Sequence, residues 1–96
     1  MADKIEIENV GQPGKIYRVD AAKFTAMRTA VLDVLPVAAP GMPVSELIAA
    51  VKPRLPQDLF PGGDKAGWWV KAVQLDLEAK KAIARAEKPP VRLYKH

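Results

Sequence analysis

The sequence predicts an α+β domain in which three helices are held between two β-hairpins. Three observations carry that class. Apolar residues alternate with period two near both ends of the chain, they recur at helical spacing in three central segments, and Gly/Pro-rich breaks part the segments. At 96 residues the chain fits one domain. Its divisions are an N-terminal hairpin over 1–19, three helices over 20–81 and a second hairpin over 82–96. Hydrophobic residues at 49% and charged residues at 27% are the mix of a chain that folds around a core.

Lys4-Ile5-Glu6-Ile7-Glu8 alternates polar and apolar, Gly11-Gln12-Pro13-Gly14 has turn chemistry, and Lys15-Ile16-Tyr17-Arg18-Val19 is rich in β-formers. Pairing Ile5 with Val19 and Ile7 with Tyr17 puts apolar groups on one face. The same register sets Glu6 opposite Arg18 on the other. Glu6 and Glu8 share a strand face, but no histidine or metal ligand accompanies them, so a solvated outer face is expected. Gly11–Lys15 is no phosphate loop, because its glycines are too close, no Ser/Thr follows the lysine, and a strand comes next.

Asp20 suits the N-cap of a helix over 21–35, with Phe24, Met27, Val31, Val34 and Leu35 as its apolar stripe and Pro36 as its stop. Phe24 and Met27 are expected in the core. After the stiff segment 36–43, Val44, Leu47, Ile48 and Val51 predict a second helix over 44–52, ended by Pro53. Glu46 in its first turn suits the helix dipole. Residues 53–63 hold three prolines and two glycines yet also Leu55, Leu59 and Phe60, so they are expected to fold back over the core.

Asp64 is the expected cap of a third helix reaching Lys81. Ala66, Trp69, Val70, Val73 and Leu77 form its inner stripe. Trp68 and Leu75, seven residues apart and so nearly aligned, point the other way, with Lys71 and Glu78. Ile83–Arg85 and Val91–Lys95 then form the arms of the second hairpin about a turn at Glu87–Pro90, with Val91 and Leu93 facing in and Arg92 and Tyr94 out.

The order helix, helix, helix, hairpin resembles the winged helix-turn-helix. Leu77, Ile83 and Arg85 fit the passage from its third helix into its wing, and Val44–Ile48 resembles the start of its second helix. There are departures. Lys81 stands where that fold usually has a glycine in the left-handed region, Pro43 replaces the usual Ser/Thr cap, and 11 residues, Pro53–Gly63, replace a turn of three or four. The whole chain is also similar to a family of small bacterial proteins without assigned function. Pro13-Gly14-Lys15, Arg18-Val19-Asp20, Leu59–Gly63, Gly67-Trp68-Trp69 and Leu77-Glu78-Ala79-Lys80 carry that resemblance. It implies a wing-type fold with an added N-terminal hairpin and supplies no reaction, ligand or site residue.

Composition narrows the function. Cysteine is absent, the one histidine is His96, and the only Ser/Thr hydroxyls are Ser45, Thr25 and Thr29. A disulfide framework, a thiolate zinc site and a cysteine nucleophile are excluded. No nucleophile, base and orienter can be assembled, so a non-enzymatic protein with no cofactor, metal or small-molecule ligand is expected. The longest uncharged stretch, Val34–Ser45, is short and carries three prolines, so no membrane span is expected. The acids Asp3, Glu6 and Glu8 do not suit a signal peptide. A cytoplasmic location is the expectation.

Net charge is +4, and all of the excess is terminal: residues 80–96 hold six Lys/Arg against one acid. Two binding functions follow. The first is nucleic acid, with the third helix in a groove and the wing on phosphates, through Lys65, Lys71, Arg85, Lys88, Arg92 and Lys95. Against it, the helix offers Trp68, Leu75 and Glu78 rather than base-reading side chains. The second is a protein-interaction or homodimerisation surface anchored on Trp68 and Leu75. Cover of that face by the chain's own hairpin competes with it.

Overall fold

A computed structural model describes residues 3–86 and 90–95 of the chain. The hairpin of β1 (Lys4–Glu8) and β2 (Ile16–Asp20) pairs in the register that the alternation predicts, with Ile5 opposite Val19, Ile7 opposite Tyr17 and Glu6 opposite Arg18. The side-chain period of two is the reason, since a slip by one residue would turn Ile7 out of the core. Ile7 is buried while Glu6 and Glu8 stay exposed.

Asp20 caps α1 (Ala21–Val34): its Oδ1 accepts the Lys23 N–H at 3.0 Å, satisfying one otherwise unpaired helix-start donor. Phe24, Met27, Ala30 and Val31 are the buried side of α1. Pro36 forces Leu35 into extended backbone, and the helix stops.

A short strand absent from the sequence prediction comes next, β3 (Met42–Pro43). Gly41 makes it possible. Its φ is +90°, and a Cβ there would lie 2.2 Å from the Leu93 carbonyl oxygen. Only glycine lets the two backbones approach so closely.

Helix α2 (Val44–Val51) buries Leu47 and Val51. Pro53 does not end all helical structure. It falls inside a 3-10 turn, Lys52–Arg54, that tightens the exit from α2. Leu55 and Phe60 then return to the core, as expected, and Phe60 meets Trp69 edge-on with ring centres 6.2 Å apart.

The expected Asp64 cap is replaced. The Asp64 N–H closes the turn Pro61–Gly63 by donating to the Pro61 carbonyl at 3.1 Å, so Asp64 belongs to that turn. Lys65, at φ 57°, is the N-cap of α3 (Ala66–Ala79), and its carbonyl accepts the Trp69 N–H at 3.1 Å.

The far end of α3 also stops earlier than expected, at Ala79. The Ala82 N–H donates to the Leu77 carbonyl and the Lys81 N–H to the Glu78 carbonyl, the paired bonds of a Schellman ending. Lys81 holds the left-handed residue of that ending at φ 61°. The chain is thereby turned into β4 (Ile83–Arg85), which pairs with β5 (Arg92–Lys95); β3 adds to the other side in the order β3-β5-β4. Leu93 faces in, as expected, whereas Val91, Arg92 and Tyr94 are all half-buried. Of the turn expected at Glu87–Pro90, residues 87–89 lie outside the described residues.

One core unites these elements. It joins Phe24, Met27 and Val31 to Leu47, Val51, Val70, Val73 and Leu77, and the sheet and hairpin close it with Ile83, Leu93 and Ile7. The radius of gyration, 12.9 Å, is close to the roughly 12.5 Å of a compact chain this long, so the N-terminal hairpin is packed on the helices. Among the described residues no helix is long and apolar enough to cross a membrane.

Candidate binding surface

Helix α3 positions the most unusual surface of the chain. Its inner stripe must face the core, which leaves Trp68 on the other side at 57% exposure, the ring set edge-on to Trp69 at 5.0 Å. Lys71 is exposed one turn on, and Leu75 is half-buried one turn beyond it.

The hairpin accounts for the difference between Trp68 and Leu75. It is fixed to the C-terminal half of α3 by two backbone donors. The Glu8 N–H gives a hydrogen bond to Asp76 Oδ1 at 2.9 Å, and the Val10 N–H gives one to the Leu75 carbonyl at 3.2 Å. Asp76 is 1% exposed at its side chain, and Lys80 Nζ donates to it at 2.9 Å. A buried carboxylate needs such donors. The chain's own hairpin therefore covers Leu75 in part and stops short of Trp68.

Between hairpin and helix runs a groove of about 340 Å³. Ile7, Val19, Ala72 and Leu75 supply aliphatic surface, and Tyr17 and Trp68 supply two aromatic rings. Glu8, Arg18 and Lys71 also line it. Of the five large exposed apolar residues among those described, Tyr17 and Trp68 line this groove.

The basic residues form no single array. Lys65 is exposed at the start of α3 and Lys71 near its middle, while Arg85, Arg92 and Lys95 lie on the sheet past its end, about 20 Å of helix from Lys65 and about 12 Å from Lys71. Arg85 is already engaged. Its Nε and Nη2 donate to the two Glu78 carboxylate oxygens at 2.9 and 3.0 Å. That hydrogen bond raises the guanidinium pKa above its ordinary value, with burial working against it and the Glu78 charge adding to it. Arg92 and Lys95 are half-buried, and Lys88 lies outside the described residues.

Sequence reasoning missed Asp76 and Gln74. Asp76 has a weak signal, its i,i+4 spacing to Lys80. The alternation puts Tyr17 on the inner face of the hairpin, and the expected alternative that this hairpin covers the Trp68–Leu75 face is met at Leu75. Gln74 is buried on α3, donates from Nε2 to Glu78 at 3.1 Å, and has no partner for its Oε1 among the described residues. Among the described residues no three His, Cys, Asp or Glu side chains come together as a metal site.

A family model described as a family of unknown function (DUF6958) matches residues 4–93. The chain belongs to that family. The match takes in the hairpin, all three helices and β4 and runs into β5, so the groove consists wholly of DUF6958 sequence. No curated protein and no solved structure matches this DUF6958 chain.

Proposed function

We propose that this protein is a non-enzymatic binding module. A protein partner seats an apolar side chain in the groove between the N-terminal hairpin and α3. Trp68 carries the assignment: a tryptophan left 57% exposed beside a half-open apolar groove is the kind of anchor on which interfaces concentrate their energy. The cytoplasm, suggested by the cysteine-free sequence, is the proposed setting.

Nitrogen-labelled protein titrated with short peptides bearing a central Leu or Phe tests the assignment. The Trp68 indole N–H and the amides of Tyr17 and Ala72 should shift, and Trp68→Ala should abolish the response while the remaining amide dispersion persists. Shifts confined to the sheet, or peptide binding unchanged in Trp68→Ala, would remove this function.

Nucleic-acid binding is the second proposal. It is favoured by the hairpin that follows α3, which forms one sheet with β3 from between α1 and α2, an arrangement in keeping with the resemblance to the winged helix-turn-helix. It ranks lower because the hairpin occupies the C-terminal half of α3's outer side and Glu78 engages Arg85. Anisotropy with mixed-sequence duplex DNA at low salt decides it. Salt-sensitive binding weakened by alanine at Lys65, Lys71 and Arg92 supports it, and no binding at micromolar protein rejects it.

A further inference from the structure

We propose that the groove's partner is an acidic segment bearing one bulky apolar side chain, with its carboxylate set against Lys71 and its apolar group against Trp68. This rests on the protein-binding assignment above. The charge of the groove supplies the chemistry. Lys71 and Arg18 line the groove with one carboxylate, Glu8, and the neighbouring Glu6 engages Arg18, so the unpaired cation of the groove is Lys71. Lys71 makes no ion pair or side-chain hydrogen bond among the described residues and lies one turn from Trp68, on the same side of α3. Arg18 is held only by a 3.7 Å approach to Glu6, with both side chains well exposed, a pair a stronger ligand can displace. Lys65 adds a further exposed cation one turn before Trp68.

The apolar lining selects against a wholly ionic partner. Ile7, Val19, Ala72 and Leu75 offer nothing to a phosphate and a fitting surface to a Leu, Ile or Phe side chain. A carboxylate one turn away along the same helix would then meet a cation with no competing anion of its own. A basic segment would instead place like charge beside Lys71 and Arg18.

Three short peptides with the same Leu-Phe centre and acidic, neutral or basic flanks test this by fluorescence anisotropy. The acidic peptide should bind roughly fivefold tighter than the neutral one at low salt, and its advantage should shrink as salt is added. Lys71→Glu, an exposed substitution that leaves the core intact, should reverse the order so that the basic peptide binds best. Equal affinity for all three peptides would overturn the acidic partner while leaving the apolar groove in place. Peptide binding that survives Trp68→Ala would overturn both. A concentration-dependent dimer in sedimentation, lost with Trp68→Ala and unaffected by the acidic peptide, would assign the groove to a second copy and reject the proposal, as would displacement of the acidic peptide by single-stranded DNA.

Discussion

Lys81 shows how a single residue can stand against its own backbone. Its φ of 61° closes the Schellman ending of α3, where a side chain costs about 1–2 kcal/mol in the left-handed region. Glycine removes that strain but loses about 0.5–1 kcal/mol more entropy on folding. Lys81→Gly should therefore raise stability by roughly 0.5–1 kcal/mol, read from the urea midpoint at unchanged slope. Gly41 is the opposite case. A Cβ 2.2 Å from the Leu93 carbonyl oxygen meets only the Leu93 backbone, so no flexible side chain can yield. Gly41→Ala should cost about 1–3 kcal/mol and raise exchange at the Leu93 amide, because β3 and β5 must part. Arg85 serves Glu78 before it can serve any ligand. Arg85→Ala deprives Glu78, whose side chain is 8% exposed, of a two-pronged partner. With Arg85 itself at 41% exposure the loss should be near 1 kcal/mol, so a fall in DNA binding by this variant alone would not identify a phosphate contact.

At the scale of elements, the N-terminal hairpin is the one that cannot stand alone, since two strands are marginal in water. Its attachment is Ile7 in the core and the bonds from Glu8 and Val10 to α3. Asp76→Ala removes the acceptor of the Glu8 N–H, while Lys80, largely exposed, turns to water. The variant should lose about 1–3 kcal/mol, and hydrogen exchange should quicken first in β1 and β2, with the centre of α3 still protected. The same hairpin marks what can be read without coordinates. Its register is legible because apolar alternation puts Ile5, Ile7, Tyr17 and Val19 on one face and the Gly11–Gly14 turn sets the offset between the strands. Its resting place, the Trp68–Leu75 face of α3, is one of two alternatives that the sequence leaves open, and the bond that fixes it is hidden because it joins Glu8 to Asp76, 68 positions apart, a contact no local pattern encodes. Strand β3 is hidden for a different reason: two residues, one of them proline, show no period, and the strand exists only because Gly41 admits Leu93. Asp64 has the chemistry of a cap and still is not one, because left-handed Lys65 stands between it and the first turn of α3 and takes the N-cap position. The Trp68–Leu75 stripe is legible from helix spacing, and the left-handed residue after α3 only from the resemblance to the winged helix-turn-helix, which usually has a glycine there.

At the scale of the whole molecule, adjacent tryptophans divide the labour between folding and binding. Trp69 is 8% exposed, is edge-on to Phe60 and belongs to the core that joins all three helices; Trp68 borders the groove at 57% exposure. The two alanine variants differ by one position only, so each controls for the other. Trp69→Ala opens a cavity that the surrounding helices cannot fully close and should cost about 3–5 kcal/mol, a large share of the roughly 5–15 kcal/mol that holds a domain together. Trp68→Ala removes surface that water already reaches. It should cost under about 1 kcal/mol, since the indole rests chiefly against the edge of Trp69. Urea unfolding of both, followed by circular dichroism so that loss of a fluorophore does not distort the signal, measures the difference. A Trp68→Ala cost equal to that of Trp69→Ala would mean that the indole holds the fold together, and a side chain so employed is not available to a partner. A small cost, joined to loss of peptide binding, separates a surface kept for recognition from one kept for stability.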